Sequence, residues 1–416
     1  MHRGLVALST VVSLGLAGWV GACSSSSRTS GFEETAPPPA SSGGEQASGG
    51  QTGPGLGGDN SKAVVDVTLK GKVYAPNGTL PLGGALVYVT DKMPEEITQA
   101  AYCDKCVELP EGSFTYSKPD GAFELPRSIA PGKSILVVQK GQFRRARTIE
   151  VVKAGDMSIP KEMTTLPGKR DAAAGDETPR MAILKDSSDF DKIDTSLTKL
   201  GITGVDIKNS RALLDNEAEL LKYHVVFVPC GSKDDPRSQA TTSRQNLVKF
   251  VQAGGRLYVT DWSYEFVRQP FGGFLSWSNE TSTLGSAASI GEWDAPAQAE
   301  DPGLKDWLTA TGDSSFTVIG NWTQISSVNT LPGVDHDGKN VNVTPKVWVT
   351  ATKNGKQTPT TVSFENKCGR VLFSTYHTEG EMGTGGSSAL AAQEKALLYV
   401  LLEIGVCVGK QPGGVN

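Results

Sequence analysis

The spacing of hydrophobic and polar positions changes character several times along the 416-residue chain. An almost unbroken apolar run, residues 5–20, follows His2 and Arg3. Residues 24–62 are rich in Ser, Gly and Pro and offer almost nothing to bury. From residue 64, VVDVTLKGKVYAP alternates apolar and polar side chains, the period of a half-buried strand. ALVYVTD, KSILVVQKG and RARTIEVV continue the short strands, and Pro119-Asp120-Gly121 supplies a turn in which Pro presets φ and Gly accepts φ > 0. This pattern predicts a small antiparallel β-sandwich over 63–168.

After a linker at 169–178 the pattern shifts to short, continuous apolar runs separated by helical spacing. RMAILKD reads as a short apolar strand, HVVFVPCGS as a buried one, and GVDIKNS and RLYVTDW as two more strands. Phe190, Ile193, Leu197 and Leu200 share one helical face, and Leu247, Phe250 and Val251 share another. Strand–helix alternation predicts a parallel sheet covered on both faces over 179–409, a flavodoxin-like α/β domain. An inserted α+β region at about 271–347 interrupts it. Asp301 and Pro302 mark the start of a helix there, and Asn354-Gly355 marks a hairpin after it. Residues 410–416 read as a disordered tail. The fold class is multidomain, a small all-β sandwich followed by the α/β domain.

The N-terminal run identifies residues 1–22 as a signal peptide, not a structural helix. Its end, Val20-Gly21-Ala22-Cys23, resembles the bacterial lipobox, which implies lipidation of Cys23 and a disordered tether over 23–62. Acyl chains on Cys23 would anchor the protein to a membrane. Ser at position 24 implies outer-membrane sorting, with the periplasmic or surface face open. The net charge of −5 argues against a nucleic-acid partner.

In an open α/β sheet, ligands bind beyond the carboxyl ends of the strands. Lys185 and Asp186, Cys230, Asp261, Trp262 and Ser263, and His377 with Glu379 all fall there. The candidate catalytic residues are His377, Glu379, Asp261 and Cys230; Lys185, Asp186, Trp262 and Ser263 are candidates for the ligand rim. Cys230 otherwise reads as a half-buried free thiol at a strand end. Trp262, Trp277, Trp293 and Trp322 suit either sugar or peptide binding or the packing of a long insertion. Asp335, His336 and Asp337 read as a polar turn, and no metal or cofactor is expected.

Cys103 and Cys106 form a C-x-x-C, read as a local disulfide, with zinc and redox exchange as alternatives. Cys368 precedes the last strand, and the following helix should return Cys407 to the same edge, which predicts a Cys368–Cys407 disulfide.

GKVYAPNGTLPLGGALVYV with SKPDGAFELP resembles the carboxypeptidase regulatory-like domain, an immunoglobulin-like sandwich that implies a structural or binding role. HVVFVPCG, FVQAGGRLYVTDWSYEF and GRVLFSTYHTE resemble the glutamine amidotransferase-like superfamily, closest to its ThuA-like branch. The resemblance places a nucleophilic cysteine on the turn after RLYVT and a later His-x-Glu. His377-Thr378-Glu379 matches the second, but the turn carries Asp261 and Trp262. Without a thiolate the covalent step of amide hydrolysis lacks its nucleophile. The expectation is therefore a cell-envelope lipoprotein that binds a glycan, peptidoglycan, peptide or protein ligand. A hydrolase or isomerase using His377 and Glu379 with Asp261 or Cys230, and a purely structural protein, are the alternatives.

Overall fold

Three short apolar runs build the centre of the α/β region, β1 (Met181–Leu184), β3 (Val225–Val228) and β4 (Arg256–Thr260), with the part-exposed strand β2 (Val205–Lys208) at the sheet's edge. In the computed structural model, which describes residues 63–104, 107–186, 189–379, 390–402 and 408–409, they join one nine-stranded sheet. Its other strands are β5 (Trp293–Ala299), β6 (Phe316–Asn321), β7 (Lys346–Lys353), β8 (Lys356–Asn366) and β9 (Gly369–Ser374). The order is β2-β1-β3-β4-β9-β8-β7-β5-β6. The first five strands are parallel, with Ala182 opposite Val226, Phe227 opposite Tyr258 and Tyr258 opposite Leu372. Numbered among themselves, they run 2-1-3-4-5, the flavodoxin-like order. The remaining four strands extend the sheet antiparallel.

Alternate residues of the parallel strands serve two cores, as the period of a strand requires. Met181, Ile183, Phe227, Tyr258 and Leu372 pack with Ile193 and Leu197 of helix α1 (Ile193–Lys199), and with Leu397 and Leu398 further along the chain. Ala182, Val226, Val228, Leu257, Val371 and Phe373 face the opposite way, toward Leu247, Phe250 and Val251 of helix α2 (Thr241–Gln252). Helix α3 (Pro302–Ala310) begins as its sequence predicts: Asp301 accepts from Leu304 N at 2.8 Å, with Pro302 in the first turn. The β7–β8 hairpin turns at Asn354 and Gly355, both at positive φ. Helix α4 (Ala392–Leu402) packs Tyr399 on Trp307 of α3.

The N-terminal region folds as two small sheets. One has the order 122–129, 65–72, 155–158; the other runs 114–116, 86–90, 132–140, 143–151, 176–177. Segment 169–178, expected as a linker, supplies that last short strand. Asp176 there accepts from the guanidinium groups of Arg145 and Arg147. The apolar core of these sheets runs on into the α1 face of the large sheet.

A loop of this N-terminal region, residues 97–104, docks on the amino edge of the large sheet. Ala101 N donates to Leu221 O, and Arg256 pairs with Asp104 at 2.8 Å. Gly254, at φ 108, lets the loop approach, because a side chain there would collide with the carbonyl of Tyr102. This docking overturns both expected cysteine pairings. Cys368 is bonded to Cys103, with Cα atoms 5.0 Å apart, not to Cys407; Cys103 is therefore not bonded to Cys106. The amino edge was correctly placed for Cys368, but a loop distant in sequence reaches it first.

The signal peptide, Cys23, the tether, Cys106, Cys407 and the C-terminal tail lie outside the described residues. Among the described residues, no helix is long and apolar enough to cross a membrane.

Candidate functional site

The carboxyl ends of β3, β4 and β9 converge on one buried cluster. β3 leads into Pro229-Cys230, and Cys230 N donates to Thr260 Oγ1 at 2.7 Å, which ties the two strand ends together. β4 runs directly into a tight turn in which Asp261 adopts φ 42, a left-handed conformation that costs energy for a residue with a Cβ. The surroundings hold it there: Trp322 N donates to both carboxylate oxygens at 3.1 Å, and Thr323 Oγ1 donates to Oδ1 at 2.9 Å. Both donors lie just beyond the end of β6, so the insertion completes the site. After β9 the chain places His377 beside this carboxylate, with Nε2 3.6 Å from Asp261 Oδ2. That distance is too long for a hydrogen bond, and His377 Nε2 has no partner.

The thiol of Cys230 lies 4.0 Å from Asp261 Oδ2. The sulfur, imidazole and carboxylate donor atoms all lie within 4.8 Å of one another. All three residues are buried. Burial, reinforced by the Asp261 charge, pushes the Cys230 thiol well above its ordinary range, so it is protonated at neutral pH. Burial also raises the Asp261 carboxyl, against the hydrogen bonds from Thr323 and Trp322. It lowers His377 to about 4, leaving a neutral imidazole.

A cavity of about 140 Å³ opens over the cluster, walled by Phe190, Trp262 and Trp322 with Cys230 and His377. Trp262 stands edge-to-face with both other aromatics, at centroid distances of 5.9 and 5.3 Å. Its indole N–H is buried without a partner. A larger open depression of about 450 Å³ lies on the N-terminal sheets among Lys70, Lys72, Lys118 and Lys161. No residue lining it carries a buried polar side-chain atom without a partner. We therefore place the candidate site at the smaller cavity.

The other candidates are dispersed. Glu379 is half-buried, and burial followed by the charge of Asp191 raises it to about 7. The charges acting on it are those of Asp191, Lys192, Glu394 and Lys199, so no described contact makes it the orienting partner of His377. Lys185 pairs with Asp194 at 2.8 Å, and Asp186 N donates to Asp189. Ser263 donates to Pro229 O and accepts from Arg211, a packing role beneath the rim. Trp277 is packed between Tyr264 and Phe373, and Trp293 donates to Thr323 O. Asp335 caps its own exposed turn by accepting from Asp337 N and Lys339 N.

Three contributors had no legible signal. Arg211, fully buried, pairs with Asp189 at 2.8 Å and Asp235 at 3.2 Å and donates to Pro229 O. It fixes the chain leading into Cys230. Asp191 accepts from both N and Oγ1 of Thr378 and so anchors the residue after His377. Thr323 fixes Asp261. A lone Arg in NSRALLD looks like any solvated turn; only the loops it joins reveal its use.

No family model and no curated protein matches the chain. Among solved structures it is similar to a protein described as ThuA-like from Bacteroides uniformis, at 13% identity and a TM-score of 0.35 over 54% of this chain and 91% of that one. It is likewise similar to a protein from Thermoplasma acidophilum described as one component of a GMP synthase, at 13% identity and a TM-score of 0.32 over 54% and 98%. A cytoplasmic protein from Salmonella typhimurium gives 13% identity and a TM-score of 0.35, again over 54% and 98%. These likenesses are remote, and the doubly wound assignment rests on the observed strand order.

Proposed function

We propose that the chain is a lipid-anchored protein of the bacterial cell envelope, tethered to the outer membrane through Cys23, whose α/β region binds one group of a glycan or peptide in the cavity over Asp261. The observation that carries this reading is a pair of buried nitrogens without partners, His377 Nε2 and Trp262 Nε1, in residues that wall one aromatic cavity. Buried polar atoms are normally satisfied, so the unmet pair favours a ligand or water with hydrogen-bonding groups. The aromatic walls offer faces for a sugar ring or an apolar side chain. At about 140 Å³ the cavity is below the roughly 300 Å³ of a typical small-molecule site. It suits a single terminal sugar or one peptide side chain.

Binding is favoured over turnover because the family's nucleophile turn carries Asp261, whose carboxylate is engaged by Trp322 and Thr323. A hydrolase using His377 as general base is the second reading, favoured by the free Nε2. With its pKa near 4, His377 is a weak base at neutral pH. A glycan array and a peptidoglycan pull-down, run with the wild type and with Trp322→Ala, test the proposal. Retention of one ligand class by the wild type and its loss in the variant is expected; equal retention or none by either contradicts it.

A further inference from the structure

We propose that Cys230, Asp261 and His377 form a binding site for a borderline-soft divalent transition cation of the Zn²⁺ class, with its open coordination position toward the aromatic cavity. This goes beyond the ligand-binding proposal and does not depend on it.

The donor set is one thiol sulfur, one imidazole nitrogen and one carboxylate oxygen, all buried and within 4.8 Å of one another. Catalytic zinc sites use three protein ligands of these kinds and keep a fourth position open. Metal–ligand distances of about 2.0–2.3 Å in tetrahedral geometry place neighbouring donor atoms roughly 3.3–3.8 Å apart. Here the His377 Nε2–Asp261 Oδ2 separation is 3.6 Å and the Cys230 Sγ–Asp261 Oδ2 separation is 4.0 Å. Closure by a few tenths of an ångström brings these two edges into that range, and the third, Cys230 Sγ to His377 Nε2, lies within 4.8 Å.

The second observation is independent of spacing. His377 Nε2 is buried, has no hydrogen-bond partner and faces the other two donors. A buried polar atom in that state is uncommon, and a metal bond satisfies it. The supporting contacts are also those a metal site needs. Asp261 is oriented by Trp322 N and Thr323 Oγ1, the backbone of Cys230 is fixed by Thr260, and the carbonyl of His377 accepts from Gln393.

Charge balances on binding. The Cys230 thiol, and the Asp261 carboxyl where burial keeps it protonated, give up their protons to solvent, and the thiolate and carboxylate together neutralise the two positive charges. Sulfur and imidazole donors select against Mg²⁺ and Ca²⁺, which prefer all-oxygen sets. The other acid–His group, Asp335-His336-Asp337, is exposed, with its carboxylates engaged in its own turn, and serves as a control.

The test uses the folded chain with its Cys103–Cys368 disulfide intact. After equilibration with Zn²⁺ and gel filtration, about one metal per chain should remain by elemental analysis. Cys230→Ser and His377→Ala should each weaken retention about tenfold or more, and His336→Ala should not. Co²⁺ in the wild type should give a thiolate-to-metal charge-transfer band that Cys230→Ser lacks. Absence of that band, or zinc retained equally by wild type and Cys230→Ser, overturns the proposal. Because the cobalt spectrum is read on the wild type, a variant that fails to fold leaves the test intact.

Discussion

Nε2 of His377 lies 3.6 Å from Oδ2 of Asp261, and Asp261 occupies the turn after β4 at φ 42. The carboxylate is thus an acceptor for the insertion at a strained backbone position, not a side chain presented for attack. Replacing it by Ala strands Trp322 N and Thr323 Oγ1 without an acceptor. We expect Asp261→Ala to cost about 2–4 kcal/mol in urea unfolding. Asp261→Asn keeps one acceptor oxygen and tolerates the left-handed region, so its cost should be nearer 1 kcal/mol. Equal losses in the two variants would show that neither the acceptor nor the backbone conformation matters.

Arg211 should be among the most sensitive residues away from the cavity. Its side chain is fully buried between Asp189 and Asp235, both nearly buried themselves. Removing one partner of such a group leaves uncompensated charge, at a cost of about 3–5 kcal/mol. Arg211→Ala should lower the denaturant midpoint accordingly. A loss comparable to that of an exposed lysine would contradict the assignment.

Much of the α/β core was legible because its strands are written as short apolar runs. MAIL, VVFV and RLYVT are each buried along their whole length, and buried parallel strands need no alternation. The start of α3 and the β7–β8 turn were equally readable, since Asp301-Pro302 and Asn354-Gly355 act through local backbone chemistry. The convergence of Cys230, Asp261 and His377 followed from placing strand ends on one rim. What could not be read depends on contacts distant in sequence. The loop 97–104 covers the amino edge and takes Cys368, Thr323 reaches Asp261 from the insertion, and no described contact joins Glu379 to His377 although the His-x-Glu spacing suggested one.

The crosslink is directly measurable. Trypsin cleaves after Lys105, Lys367 and Arg370, so Cys103, Cys106 and Cys368 fall in separate peptides. Non-reducing mass mapping should return the Cys103 peptide joined to Cys-Gly-Arg. The strands Val107–Glu108 and Val408–Gly409 pair in parallel with Val107 opposite Val408. Recovery of Cys103 with Cys106, or of Cys368 with Cys407, would contradict the Cys103–Cys368 pairing. The Cys103–Cys368 bond closes a long loop, separation 265, for which a chain-entropy model gives roughly 5.6 kcal/mol.

His224 should make the contact between loop 97–104 and the large sheet acid-sensitive. Arg180 N donates to Nδ1 at 2.8 Å, so Nε2 carries the proton and donates to Thr98 O at 2.6 Å. Burial holds the imidazole near 4, against an ordinary 6.5, with Arg256 lowering it further and Asp104 opposing. Above pH 6.5 the contribution to stability is complete. As pH falls toward 4, the unfolded chain binds a proton that the folded chain refuses, and roughly 3 kcal/mol is lost. Asp189 and Asp191, raised to about 6 by burial, act in the opposite sense across that window. The comparison is therefore with His224→Gln, whose stability should fall less between pH 7 and 4.5. Parallel profiles would exclude His224 as the source.

The central claim, an aromatic ligand cavity over the Asp261 turn, is tested most directly by tryptophan fluorescence. Envelope glycans and peptides, including peptidoglycan fragments, would be titrated into the wild type and into Trp322→Phe and His377→Ala. The account predicts a saturable change for one ligand class in the wild type, with a reduced amplitude in Trp322→Phe and weakened affinity in His377→Ala. No change with any ligand, or the same affinity and amplitude in all three proteins, would contradict it.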